Sequence, residues 1–213
     1  MSVTKLRPAG WRDIAWNWAR AEIDSPRFAP HYAHVGETVL ARVRAGDQQG
    51  LDDAAWSALT GAVARYRGGL LRGLRRLGTE WFSGELDLAE IPDLRVMNYL
   101  PFVAICPTRR LGDLAAALAA GREPRGAQEF ATNFAALRHG FATARLAEAR
   151  PILVTERAEG PYTLLEGYSR LAAVAARCLA GTAGPGEIPV LLGKCPRIAE
   201  WRMADDPAKG PLF

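Results

Sequence analysis

Apolar residues recur at intervals of three and four through the first third of the chain, which predicts a series of amphipathic helices. The pattern covers residues 11–22, residues 35–45 and residues 53–77. Gly46 ends the second pattern, and Asp52 supplies the negative charge that favours the start of the third. Each interior glycine costs a helix about 1 kcal/mol relative to alanine, so we expect a break near the glycines of the third pattern. Those glycines are Gly68, Gly69 and Gly73.

An acidic, turn-like stretch at residues 80–93 separates these helices from the rest of the chain. We expect it to be the seam between an all-helical amino-terminal lobe, residues 1–90, and a core of residues 91–213. Directly after the seam, residues 94–106 have the pattern of an extended segment. Pro101 interrupts this segment, and proline cannot donate a hydrogen bond to a neighbouring strand. An edge strand or two short strands are therefore predicted here.

Two more helices are predicted before residue 151. Thr108 caps the first of them, and Gly121 stops it. The second carries apolar residues at helical spacing from Phe130 to Phe141, and it ends before Pro151.

The pattern changes beyond residue 150. Residues 152–156 (ILVTE) and 162–166 (YTLLE) are short β-rich runs, and the RAEGP sequence between them is typical of a hairpin. Gly167 then turns the chain into an alanine-rich helix, and residues 188–192 (IPVLL) form a last strand. The whole chain is therefore predicted to be α+β, with a small mixed β-sheet and many helices.

The junction between the second run of the hairpin and the helix after it has the features of an anion site. The N–H groups in the first turn of a helix lack intrahelical partners, and the helix dipole places positive charge there. Gly167 lets the backbone come close to a ligand. Ser169 can cap the helix or donate to an oxygen, and Arg170 offers a planar fork that suits phosphate. With no anion bound, we expect Arg170 to be solvated or loosely held.

An isolated Gly-x-x-Arg pattern is common by chance, but here it lies between a hairpin and an alanine-rich helix, with a proline-containing strand beyond. Over residues 150–193 this arrangement resembles the ParB/sulfiredoxin family. The resemblance implies a nucleotide-binding core with a small mixed β-sheet. It extends weakly to residues 99–110, where Arg109 and Arg110 would contact the nucleotide. Positive charge at the start of a helix is unfavourable, which also favours a ligand role for these two arginines.

The branches of this family differ in chemistry. Sulfiredoxins carry a nucleophilic cysteine directly after the motif glycine, whereas this chain has Tyr168 there, so that activity is not expected. ParB proteins bind CTP and continue into a helix-turn-helix domain, for which no room is expected after residue 192. The remaining branch, small-molecule kinases such as free-serine kinases, places an acidic residue before the glycine, and Glu166 matches it. The histidine usual in that motif is absent, because Tyr168 and Ser169 occupy the variable positions.

The resemblance implies a nucleotide-dependent enzyme that transfers a phosphoryl group from ATP or ADP, with CTP as an alternative nucleotide, to a small polar metabolite. Gly167, Tyr168, Ser169 and Arg170 would hold the phosphates. Glu166 would either bind Mg²⁺ or take the proton of the acceptor. The alternative is a ParB-related nucleotide-binding switch or DNA-associated module without chemistry on a metabolite.

Composition narrows the class of protein a little further. Hydrophobic residues make up 49% and charged residues 23%, as in ordinary globular proteins, and the net charge is +4. This charge permits an anionic ligand without requiring nucleic acid, which we do not expect as a partner. We expect neither a membrane span nor a secretory signal, and three widely spaced cysteines fit a reduced compartment. The sequence therefore predicts a cytoplasmic protein with a small-molecule substrate.

Overall fold

The computed structural model describes residues 2–201, apart from the side chains of residues 68, 69, 72 and 144. The helices are α1 (Trp11–Glu22), α2 (Glu37–Ala45), α3 (Asp53–Arg76), α4 (Leu100–Ile105), α5 (Leu111–Ala119), α6 (Gln128–Leu137) and α7 (Tyr168–Leu179). The strands are β1 (Thr4–Ala9), β2 (Glu80–Asp87), β3 (Arg95–Val96), β4 (Ile152–Thr155), β5 (Thr163–Glu166) and β6 (Glu187–Lys194). Short 3₁₀ turns lie at Ala29–Tyr32, Leu88–Asp93, Thr143–Ala147 and Ile198–Glu200.

The strands form one mixed sheet in the order β1-β2-β6-β4-β5-β3. β6 pairs antiparallel with β2 and parallel with β4, and β5 pairs antiparallel with β4 and parallel with β3. The sheet therefore combines hairpin pairing with parallel pairing, and the protein is α+β as the sequence predicts.

Helices cover both faces of the sheet. Ile152 and Val154 pack with α1 and α3 in one core, whereas Leu153 packs with α5, α6 and α7 in the other. Neighbouring residues of a strand point to opposite faces, so one short apolar strand contributes to both cores. This explains why β4 is a continuous apolar run without alternation.

The expectation of an all-helical amino-terminal lobe is wrong at both of its ends. β1 pairs with β2, and β2 pairs along its whole length with β6. The predicted lobe of residues 1–90 and the predicted core therefore share one sheet. The acidic run was misleading because its charged residues lie at exposed or half-exposed positions of β2, while Trp81 and Leu86 are buried between them.

One further expectation was wrong and another holds only in part, in both cases for local reasons. α3 continues through its glycines without a break, and a side chain at Gly73 would come within 3.2 Å of the indole of Trp201, so close packing explains this glycine. Residues 94–106 contain only the two-residue edge strand β3, followed by α4. Pro101 lies in the first turn of α4, where its missing N–H has no intrahelical role.

The predicted hairpin and the helix after it are confirmed. β4 and β5 are antiparallel, and α7 begins at Tyr168, directly after Gly167. Within residues 2–201, none of the helices is both long enough and apolar enough to cross a membrane.

Candidate functional site

A cleft of about 820 Å³ opens where the carboxyl end of α1, the middle of α3 and the start of α7 meet. The segment before residue 29 and helix α6 form its other walls. Five candidates from the sequence line this cleft together, namely Glu166, Gly167, Tyr168, Ser169 and Arg170. The predicted turn therefore lies in the wall of a concave site and not on an open surface, as is usual for small-molecule sites.

Gly167 makes the sharp turn from β5 into α7. Its backbone is left-handed, with φ 100° and ψ 20°, a conformation that side chains other than glycine adopt at a cost. A side chain here would also come within 3.4 Å of the backbone of Pro151. Gly167 has no side chain with which to cap the helix, so among the described residues the N–H groups in the first turn of α7 lack the partner that a capping side chain supplies.

The side chain of Arg170 folds back over this turn. Its Nη2 atom would lie 3.6 Å from a Cβ at Gly167, and its Nη1 atom donates to the carbonyl oxygen of Ala149. Nη2 also lies 3.9 Å from Oε1 of Glu166, and the Arg170 side chain is only 18% exposed. Arg170 is therefore buried and held by a hydrogen bond, and the expectation that it is solvated or loosely held is wrong. Burial lowers the pKa of this guanidinium, and the nearby carboxylate of Glu166 acts in the opposite direction.

Glu166 lies between two arginines. Its Oε1 atom faces Arg170, and its Oε2 atom lies 3.7 Å from Nη2 of Arg67 on α3. The Glu166 side chain is 18% exposed, so the carboxylate is largely withdrawn from water but still in the cleft wall. Both of its oxygens therefore already face a cation.

Glu22, the last residue of α1, was not singled out by the sequence. It is 3% exposed and accepts hydrogen bonds from the hydroxyl of Tyr66 and from Arg67. Burial, together with the neighbouring carboxylate of Glu166, raises the pKa of Glu22 to about 7. Buried carboxyl groups with such a raised pKa are found more often in functional sites than elsewhere.

Arg67 connects the two carboxylates. Its guanidinium lies 4.7 Å from the ring of Phe28 and 5.4 Å from the rings of both Trp18 and Tyr66, so the rings hold it in place. Burial by itself lowers the pKa of Arg67, but the carboxylates of Glu166 and Glu22 outweigh it and raise the pKa overall. Its buried Nε–H has no hydrogen-bond partner among the described residues.

A signal for these residues was present in the sequence. Glu22 lies four positions after Trp18 on the buried face of α1, and Arg67 lies four positions after Val63 on the buried face of α3. A charged residue in the apolar stripe of a helix needs a buried partner. The stripe positions therefore indicate a buried ion pair, although the sequence does not reveal which residues pair.

The other two motif side chains differ in their surroundings. The hydroxyl of Tyr168 donates to the carbonyl oxygen of Leu164 and accepts from the N–H of Met97 at 2.9 Å, and burial raises its pKa. Its ring packs against Phe102. Tyr168 therefore anchors the start of α7 to the sheet, and both Tyr168 and Ser169 line the cleft.

Arg109 and Arg110 do not join the turn in the described structure. Arg109 is 8% exposed and donates to the carbonyl oxygen of Val96 at 3.2 Å, with a left-handed backbone at φ 59°. Arg110, the residue directly before α5, is exposed and forms an ion pair with Asp93. Neither side chain lines the cleft, so the expected contact of these two arginines with the nucleotide has no support in their positions.

The cleft wall offers two carboxylates to a metal ion, Glu22 and Glu166, and both already lie close to arginines. Among the described residues, no cluster of three histidine, cysteine, aspartate or glutamate side chains could hold one. Mg²⁺ needs carboxylate oxygens free to coordinate it, and both oxygens of Glu166 face arginines.

Comparison with protein-family models, curated proteins and solved structures finds no match for this chain. The resemblance of residues 150–193 to the ParB/sulfiredoxin family remains a prediction.

Proposed function

We propose that the cleft binds a nucleotide with its phosphates at the turn of residues 167–170, and that the protein transfers a phosphoryl group to a small polar metabolite. The observation that carries this proposal is the uncapped start of α7, which lies in the wall of the same cleft as Arg67 and Arg170. Free N–H groups at a helix start and guanidinium forks are both groups that bind phosphate oxygens. Combined in a concave site, they suit a phosphorylated ligand better than an uncharged one.

Aromatic side chains in the same cleft suit the base of a nucleotide. Phe28, Tyr66 and Tyr99 are half-buried and line the cleft, and the rings of Phe28 and Tyr66 stack with 5.2 Å between their centroids. Bases stack on aromatic rings whatever their identity, so this wall does not select one base. The proposal therefore includes ATP and ADP, with CTP as the alternative.

Phosphoryl transfer also needs a group that takes the proton of the acceptor hydroxyl. Glu166 is the carboxylate in the cleft wall next to the phosphate turn, and we assign it that role. We assign no protein ligand to Mg²⁺, because Arg67 and Arg170 face the two oxygens of Glu166, and the same two arginines must move away before Glu166 can take the proton. In this proposal Mg²⁺ arrives only as the counter-ion that nucleotides carry in water.

One observation favours the alternative, a switch that binds a nucleotide without turning it over. A base must have a free oxygen, and Arg67 and Arg170 both lie close to the carboxylate of Glu166. If the bound phosphates do not draw these arginines away, the cleft binds without catalysing. The two functions share one site and differ only in turnover.

Binding and turnover can be measured separately. Calorimetry with ATP, ADP and CTP, with and without Mg²⁺, should detect binding to the parent protein. Thermal unfolding gives a second measure, since a ligand at 100 times its Kd should stabilise the fold by about 2.7 kcal/mol. Arg145→Ala removes an exposed arginine outside the cleft and is the matched control for Arg170→Ala. It should bind nucleotide like the parent. The absence of binding by any of the three nucleotides would refute the proposal. Binding without product in a screen of hydroxyl-bearing metabolites would favour the switch.

A further inference from the structure

Four charged side chains form a continuous row along the wall of the cleft. Glu22 contacts Arg67, Arg67 lies 3.7 Å from Glu166, and Glu166 lies 3.9 Å from Arg170. They come from α1, α3, β5 and α7, so the row joins four of the elements that line the cleft. With both carboxylates ionised, the row has no net charge.

A neutral row is not yet a good receptor for phosphate. A phosphate group carries about two negative charges near neutral pH, and it would meet two carboxylates as well as two guanidiniums. Charges at such short range and in a largely buried place interact strongly. Binding therefore favours any change that removes one of the negative charges.

We propose that Arg67 is a second cationic contact to the bound phosphate, and that Glu22 releases it by taking up a proton. This inference rests on the proposed function. It adds that the guanidinium of Arg67 contacts the phosphate and that Glu22 becomes protonated when the nucleotide binds. Arg67 is suited to the role because its Nε–H is buried without a partner among the described residues. The surrounding rings of Trp18, Phe28 and Tyr66 keep the guanidinium at the cleft wall after protonated Glu22 no longer pairs with it.

Glu22 is better placed than Glu166 to accept this proton. It is almost completely buried, which disfavours its charged form, and its pKa is already raised to about 7, so protonation near neutral pH requires little free energy. The groups that face it are the hydroxyls of Tyr32 and Tyr66, the two guanidiniums and the Glu166 carboxylate. Of these, only the guanidiniums and the Tyr66 hydroxyl oppose its protonation, and the phosphate draws the guanidiniums away.

Proton uptake on binding can be counted. Titrating ADP at pH 7.5 into the protein in two buffers of different ionisation enthalpy gives the number of protons exchanged. The parent protein should take up more than about half a proton over the value for Glu22→Gln, in which the amide cannot titrate. The Kd of the parent should also fall as the pH is lowered from 8 to 6, by up to about tenfold per pH unit, whereas the Kd of Glu22→Gln should follow only the titration of ADP itself.

The role of Arg67 has its own test. Arg67→Lys keeps the charge but loses the Nε–H and the planar fork, so ADP binding should weaken about tenfold while the protein stays folded by circular dichroism. Unchanged affinity in this variant would overturn the assignment of Arg67. Should Glu22→Gln fail to fold, Tyr66→Phe replaces it: losing the hydroxyl that donates to the Glu22 carboxylate should shift the proton uptake to higher pH.

The outcomes separate this inference from the proposed function. No binding of ADP by the parent refutes the nucleotide site itself, and the inference falls with it. Binding with the same proton count in the parent and in Glu22→Gln leaves the nucleotide site standing and refutes only the role of Glu22.

Discussion

The guanidinium of Arg170 lies beside the carboxylate of Glu166, with 3.9 Å between Nη2 and Oε1, although a left-handed glycine separates β5 from α7 between them. The two charged residues of the motif therefore neutralise each other across the turn in the free protein. A ligand that binds to this turn has to compete with Glu166 for the arginine. This relationship gives the motif a structural role in addition to the proposed binding role.

Arg170→Ala should abolish nucleotide binding and also weaken the fold. The substitution leaves the carbonyl oxygen of Ala149 without its donor and removes the cation nearest Oε1 of Glu166, which we expect to lower the free energy of unfolding by about 1–3 kcal/mol. Urea unfolding measures the stability, and calorimetry measures the binding. Arg170→Lys should restore part of both, because it keeps the charge without the fork. Nucleotide affinity equal to the parent's in the folded alanine variant would disprove the phosphate site.

Gly167→Ala should destabilise the protein by about 1–2 kcal/mol, because alanine in the left-handed region is strained. Its methyl group would also press against Pro151, so the turn cannot relax easily. Gly61→Ala is the matched control, since Gly61 lies within α3 and has open space around it. That change should stabilise the protein by about 0.5–1 kcal/mol. Thermal unfolding of both variants checks the prediction, which fails if the two changes have the same sign.

Glu22 should make stability depend on pH in a defined window. Its pKa is raised to about 7 in the folded protein and is about 4.3 in an unfolded chain, so between these values the folded state holds a proton that the unfolded state has lost. Stability contributed by this group is therefore present at low pH and falls as the pH rises through the window, by up to about 1.4 kcal/mol per pH unit, and then levels off. Glu22→Gln should lack this decline. Parallel curves for the two proteins in urea unfolding from pH 5 to pH 8 would contradict the assignment.

Glu166→Gln should separate binding from chemistry. The amide keeps the shape of the side chain but releases Arg67 and Arg170 from a negative charge, so nucleotide affinity should stay the same or rise a few-fold. Turnover should fall by about 100-fold or more if this carboxylate takes the acceptor proton. Calorimetry and a product assay, run on the same preparation, give both values. Full turnover in the variant would remove Glu166 from the catalytic role.

Several elements could be predicted because their determinants are local. The helix at Trp11–Glu22 matches its predicted bounds, since an apolar stripe and the acidic side chain of Asp13 at its first turn both lie within the segment. The hairpin and the turn at Gly167 were predicted for the same reason, because short β-rich runs and a glycine specify them within a few residues. The start of a helix directly after this glycine could likewise be located, since the four unpaired N–H groups belong to the start of any helix.

Other features were decided only when distant segments met. β2 is a strand because β1 and β6 supply its hydrogen-bond partners, and a side chain at Gly84 would come within 2.6 Å of Val3, a contact that no local pattern reveals. Glu22 and Arg67 are far apart in the sequence, and packing of α1 against α3 makes them partners in the cleft. The sequence by itself determined where the turn lies and which charges it carries. The tertiary structure decided which of those charges are buried, since burial and pairing depend on what packs against each side chain from the rest of the chain.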